Sequence, residues 1–372
     1  MANKTKGENA YLLHLIFCAL NEKEPLEAEG IDFCALFELA KKQEIYSLIN
    51  DEIQALSFVP DEAKTLFRNQ TFSELNRLIA LGAERKIILS EFDENDIRYM
   101  PLKGLVFKGY YPKESMRQMT DNDILIDEEN RKKAADVMLA LSYEPYDTTQ
   151  NSDDFFKNPF YTFELHRSLF DAESEFSPRF DNVWQNAEQD ENSKNLFHMS
   201  KEDVYVFSVC HMFKHYIKNC CGLRFLVDIF LFLRKEENSL DWQYINSELE
   251  KNALSDYEKQ TKTLAKKLFD GGDLTADEEK LLQNYTEFGL FGDEEGKILQ
   301  KYSAASGAKS VYIFRRLFPK RKEIIASYPV LEKAPILYPF MLIHRFFKGL
   351  FKIKKRASEL KTLKEIKKEN RG

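Results

Sequence analysis

No pair of cysteines in this chain has C-x-x-C spacing, no G-x-G-x-x-G occurs, and there is no internal repeat or long low-complexity tract. Each absence removes a class of protein. The cysteines, Cys18, Cys34, Cys210, Cys220 and Cys221, are odd in number and mostly in apolar helical context. That argues against a disulfide framework or a zinc site and for reduced thiols in the cytoplasm. Long apolar runs are missing too: 223–233 is broken by Arg224 and Asp228, and 335–351 by His344, Arg345 and Lys348. A membrane span, which needs roughly eighteen or more apolar residues, is not expected. The opening Met-Ala-Asn-Lys-Thr-Lys-Gly-Glu-Asn has no apolar secretory core.

What is present suits a folded chain with room for two or three modest domains: 372 residues, 43% apolar and 31% charged. Thirty phenylalanines and seventeen tyrosines supply core and inter-helix packing, with ligand stacking as the alternative. The net charge of −7 is uneven, because from Arg345 to Gly372 eleven Lys/Arg face three Glu, a local +8. Such a tail suits contact with phosphates or nucleic acid, or is a solvated terminal helix. The acidic body and the lack of a recognised binding motif weigh against a nucleic-acid module.

Periodicity divides the chain. Residues 10–95 are helical, with Leu12, Leu13, Ile16, Phe17 and Leu20 on one period and Pro60-Asp61 as a start signal after the loop at 57–61. Residues 97–102 are strand-like, a helix fits around Val106-Phe107-Lys108, and Ile124-Leu125-Ile126 is a second strand. An amphipathic helix is expected over 131–141 and a strand over 161–166, with the polar stretch 147–154 as a loop near the site entrance. Beyond about residue 195 the pattern is helical again, with Gly271-Gly272 ending one helix and Thr275–Glu278 capping another.

Thr120-Asp121-Asn122-Asp123 carries the chemistry. In an extended strand, i and i+2 share a face, so Asp121 and Asp123 can share one ligand. Paired carboxylates favour a hard cation such as Mg²⁺, which also takes phosphate oxygens; an acidic turn is the plain alternative. Upstream, Leu102-Lys103-Gly104 ends a strand-like run, and Arg117 precedes the acid pair. His211 and His215 share a helix face at i, i+4, but Met212 stands where a zinc protease needs glutamate. An inter-helix contact or a place in a substrate cleft is left for them. Arg224 and Asp228, also i, i+4, are expected to form an ion pair, and Lys108 and Lys113 to be surface charges.

This order, Leu102-Lys103-Gly104, Tyr111-Pro112, Arg117, then Asp121 and Asp123 on an apolar strand, resembles the polymerase-β-like nucleotidyltransferase superfamily. More closely, it resembles the bacterial family of uncharacterised nucleotidyltransferases. The likeness continues through Glu164-Leu165-His166, His211 and His215, Arg224 and Asp228, Leu317-Phe318-Pro319, Tyr328-Pro329 and His344-Arg345, roughly residues 30 to 350. It implies a glycine turn that holds phosphate and a D-x-D strand that holds metal. Asp121, Asp123 and Glu164 would be the catalytic and metal-binding carboxylates, and Lys103, Gly104 and Arg117 the nucleotide and phosphate contacts. His166, with His211 and His215, would line the substrate cleft; a structural histidine at a strand end is the alternative for His166. Alternation supports Glu164, since Phe163 and Leu165 would face the core; Asp127 and Glu128 are the next candidates for a third ligand. One departure is plain: most superfamily members carry Gly-Ser where this chain has Lys103-Gly104.

The expected fold is therefore α+β, a small mixed-sheet nucleotidyltransferase core flanked by N- and C-terminal helical regions. The expected domains are a helical region at 1–95, the core at 96–180, and a helical domain with its basic tail at 181–372. The expected activity is Mg²⁺-dependent transfer of a nucleoside monophosphate from an NTP to an acceptor hydroxyl, with two ions, at the α-phosphate. The acceptor is left open among small molecule, sugar, protein and RNA. The alternative is a nucleotide-binding or interaction protein that keeps the fold without turnover.

Overall fold

The computed structural model describes residues 7–287 and 289, apart from 150, 172–173, 181–182 and 218–220. Two units divide the chain, 1–214 with 222–290, and 215–221 with 291–372. The second falls almost wholly outside the described residues. So do the motifs Leu317-Phe318-Pro319, Tyr328-Pro329 and His344-Arg345, and the basic tail.

Four helices lead in: α1 (Glu8–Asn21), α2 (Phe33–Lys42), α3 (Asn50–Ala55) and α4 (Asp61–Glu94). Pro60 precedes α4, and Asp61 and Glu62 in its first turn favour the positive end of the helix dipole. Of its six buried positions, Ala63, Phe67, Glu74, Leu81, Ile88 and Phe92, the middle four recur every seventh residue, so a narrow stripe seats a helix of 34 residues. The core follows as β1 (Tyr99–Pro101), the short α5 (Gly104–Phe107), β2 (Asn122–Ile126), α6 (Arg131–Ala140), β3 (Glu144–Thr148), β4 (Ser152–Lys157) and β5 (Tyr161–His166). After α7 (Ser177–Phe180) and the small pair β6 (Glu188–Gln189) and β7 (Phe197–His198) come α8 (Lys201–Tyr216), α9 (Leu223–Glu236), α10 (Trp242–Lys251), α11 (Ser255–Asp270) and α12 (Ala276–Glu287). Gly271, at φ 89°, closes α11 in the left-handed region. Thr275 N–H donates to Glu278 Oε2 at 2.7 Å in the capping box that opens α12.

The five-stranded sheet has the order β1-β2-β5-β4-β3. Only β2 and β5 are parallel, so the sheet is mixed and the fold is α+β. On one face Ile124, Ile126, Phe155, Phe163 and Leu165 pack with Ile88 and Phe92 of α4 and Val137 and Met138 of α6. Alternation sends the intervening residues to the other face.

One expectation fails. The stretch 147–154 is not a loop: most of it belongs to the β3–β4 hairpin, paired with Asp147 opposite Asp154. Asp, Asn and Ser are poor strand formers, and every residue of β3 is exposed, so no apolar alternation marked it. Among the described residues, no helix is long and apolar enough to cross a membrane.

Candidate active site

The parallel pairing of β2 and β5 sets Asp123 opposite Glu164 and Leu125 opposite His166. Asp123, Glu164 and His166 thereby share the sheet face turned away from the core, with ligating atoms all within 4.8 Å of one another. His166 Nε2 lies 2.8 Å from Asp123 Oδ1 and 3.4 Å from Glu164 Oε2. Lys103 Nζ donates to the same Asp123 oxygen at 2.5 Å and lies 3.5 Å from His166 Nε2. Asp121 stands in the bend just before β2 rather than within the strand, and outside that triplet.

Charge is sorted unequally between the two aspartates. Burial opposes ionisation of Asp123, but Lys103 and then His166 outweigh it and hold its carboxyl far below the usual range. Asp121 makes no ion pair among the described residues. Burial, then repulsion from Asp123 and Glu164, pushes it up to about 7. Burial and Lys103 work against a charged His166, yet its bonds to Asp123 and Glu164 raise its pKa overall. His166 Nδ1 is buried without a partner, so the ring is held through Nε2.

Lys103 occupies φ 46°, ψ −114°, a conformation that favours glycine and that the Lys103–Asp123 pair helps to hold. The glycine itself is needed one residue later. A Cβ on Gly104 would lie 2.7 Å from Arg117 Nη1 and 3.2 Å from Met119 Cγ. A side chain at 104 would therefore have to displace the Arg117 guanidinium and crowd Met119, so this turn suits glycine.

Arg117 is placed within the protein: Nε and Nη2 bond the two oxygens of Asp228 on α9, at 2.9 and 2.7 Å, and Tyr111 Oη donates to Asp228 at 2.8 Å. The pair is buried, and Arg117 supports the Lys103-Gly104 turn from beneath. The expected Arg224–Asp228 pair is replaced, because Arg224 bonds Glu44 at 2.9 Å and the Gln118 carbonyl at 3.0 Å. Helical spacing offered a local partner; the fold supplied others. Lys108 and Lys113 pair with Glu114 and Asp51.

The acid triplet does not include the remaining candidates. His211, on α8, packs its ring 5.8 Å from Phe207 and 5.9 Å from Phe225, which favours the inter-helix alternative for that residue. His215 is one turn further along α8, in the second unit. Asp127 accepts from Asn130 N–H in the turn after β2, and Glu128 lies beside Arg131. A residue not anticipated is Asp154, opposite Glu164 on β4, so that Asp123, Glu164, Asp154 and Asp147 form a row across four strands. Burial raises the Asp154 pKa; the Ser152 hydroxyl lowers it in part, and Glu164 adds to the rise. The alternation of Ser152, Asp154 and Phe156 with Asp153 and Phe155 was the available signal.

The donor set is two carboxylates with an imidazole, a third carboxylate nearby, and an ammonium already drawn in to offset them. That set fits a divalent cation of the Mg²⁺ or Mn²⁺ kind.

The sheet is mixed, with a lysine-glycine turn after β1 and carboxylates on β2 and β5. The profile of the family described as uncharacterised nucleotidyltransferase matches residues 29–270, and the chain belongs to that family. Nucleotidyl transfer is thus the general activity to which the chain is assigned. No curated protein and no solved structure gives a significant match.

Proposed function

We propose that this chain is an active, Mg²⁺-dependent enzyme that moves a nucleoside monophosphate from a nucleoside triphosphate to a hydroxyl-bearing acceptor. The observation that carries this reading is the β2–β5 register, which sets Asp123 beside Glu164 with Lys103 and His166 on the same carboxylate. Asp121, Asp123 and Glu164 would hold two ions. Such ions supply the charge that activates an attacking hydroxyl and stabilises the departing pyrophosphate in an in-line displacement at the α-phosphate.

The chain's own groups have separate tasks. Lys103 offers a point charge to the triphosphate, and Gly104 leaves the backbone open to it. Arg117 keeps that turn in place through Asp228. His166, bonded through Nε2 to both acids, orients them toward the ions they would hold. The division proposed along the sequence is a helical region at 1–95, a core at 96–180 and a helical domain with its basic tail at 181–372, acting in the cytoplasm, with substrate choice made by the helices.

A second reading, nucleotide binding without turnover, is favoured by two observations: the Lys103 ammonium already neutralises Asp123, and a side chain at 104 would crowd Arg117 and Met119. Calorimetric titration of ATP, CTP, GTP and UTP, with and without Mg²⁺, tests the shared premise, and pyrophosphate release in the presence of cell extract separates the two. Metal-dependent binding and release that Asp123→Asn and Glu164→Gln abolish support the enzyme. Binding without release supports the second reading, and no metal-dependent binding of any triphosphate removes both.

A further inference from the structure

A cavity of about 430 Å³ opens beside the start of β2, on the α4 side of the sheet. Its size lies within the roughly 300–1,000 Å³ usual for small-molecule sites. One wall is α4, through Leu75, Leu78 and Ile79; the other is the segment between the Lys103-Gly104 turn and β2, through Ser115 and Met119.

Arg85, Lys86, Lys108 and Glu114 bring charge to this cavity; Lys108 and Glu114 pair with each other, whereas the charge of Arg85 is poorly matched by protein. Its hydrogen bond among the described residues runs from Nη1 to Asn122 Oδ1, a neutral acceptor, at 2.9 Å. A guanidinium carries five N–H donors and meets a carboxylate or phosphate with two of them at once. Burial pulls the Arg85 pKa below its ordinary value, and Glu114, itself bonded to Lys108 at 2.7 Å, restores it only in part. A desolvated cation with a neutral partner is unfavourable until an anion joins it. The wall is equally uncovered, with Ile79 62% and Leu75 37% exposed. Lys86 adds a further positive charge beside the Lys108–Glu114 pair.

We propose that this cavity binds a small molecule with an oxyanion head, carboxylate or phosphate, on an apolar body. The head lies on Arg85 and the body against Leu75, Leu78 and Ile79. The site is separate from that of the triphosphate: Asn122, which holds Arg85, is opposite the core residue Phe163, whereas Asp123 is opposite Glu164 on the other face. Asn122 also joins Asp121 to Asp123, so a ligand on Arg85 bears on the strand that carries both acids.

Calorimetry on the full chain with octanoate and octyl phosphate tests this, with inorganic phosphate and octanol as head-only and body-only controls. At least one amphiphile is expected to bind about tenfold or more tighter than either control, and its preference over the other identifies the head. Arg85→Gln should weaken it about tenfold or more. Ile79→Trp, which fills the cavity from an exposed position and keeps Arg85, should do the same with an unchanged melting temperature. Affinity unaltered in Ile79→Trp, or no binding tighter than the controls, overturns the proposal. Displacement of the amphiphile by a non-hydrolysable triphosphate with Mg²⁺ overturns the claim of a separate site.

Discussion

Replacing Asp121 and Asp123 by asparagine, one at a time, should shift metal-free stability in opposite directions. Like-charge repulsion between acids two residues apart leads one to expect that Asp123→Asn holds or raises stability without metal. The structure reverses that sign. The Asp123 side chain is 7% exposed and accepts from Lys103 at 2.5 Å and from His166 at 2.8 Å. Breaking a buried pair costs about 3–5 kcal/mol, and because asparagine keeps one acceptor oxygen the expected loss is about 2–4 kcal/mol. Asp121 carries the repulsion instead. Its carboxyl, normally at 3.8, is pushed up to about 7 by burial and by Asp123 and Glu164. The folded state therefore binds that proton more tightly than the unfolded state. The resulting stability is complete below the ordinary value and lost as pH rises through about 7. A shift of this size corresponds to at most about 4 kcal/mol, and solvent screening of a half-buried group leaves about 1–2 kcal/mol. Urea unfolding in EDTA, at about pH 5 and pH 8, measures both variants. Asp121→Asn should gain about 1–2 kcal/mol at the higher pH and less at the lower, and Mg²⁺ should erase the gain. Asp123→Asn should lose stability at both. A destabilised Asp121→Asn at the higher pH, or a stabilised Asp123→Asn, refutes this account of the site.

The steric claim at the turn has a direct control. Gly104→Ala should cost about 2–3 kcal/mol in urea unfolding. Gly109→Ala, whose Cβ would meet nothing within 4 Å, should stay within about 0.5 kcal/mol, and equal costs would remove the explanation. Asp228→Ala strands the buried Arg117 and takes an acceptor from Tyr111, so a loss of about 3–5 kcal/mol is expected; an unchanged unfolding midpoint would mean the knot beneath the turn is not formed. Calorimetry with Mg²⁺ alone ranks the acids of the sheet. Glu164→Gln should weaken binding by about tenfold or more and Asp154→Asn by less, and the reverse order would move the third ligand to Asp154.

Much of the architecture was legible because it is written in local periods. The helices of 10–95, the strand at 161–166 and the capping box at 275–278 each follow from spacing within one segment, where burial of one face dictates apolar recurrence. The lysine-glycine turn and the Asp121/Asp123 pair were equally visible, being contiguous. The hairpin 144–157 was not, since β3 is exposed at every residue, so no apolar alternation marks it, and it is made a strand by pairing through β4 to β5. Pairings between distant residues were hidden as well. Arg117 and Asp228 lie 111 positions apart, and nothing near either one says that the guanidinium is used to support a turn. The same holds for Lys103 on Asp123 and for Asp154 in the acidic row. Residue type and local period state what a segment can bury and what chemistry it can carry. Which charge meets which is decided only when strands from separate segments take a register, because a Coulomb interaction depends on distance in space and not along the chain.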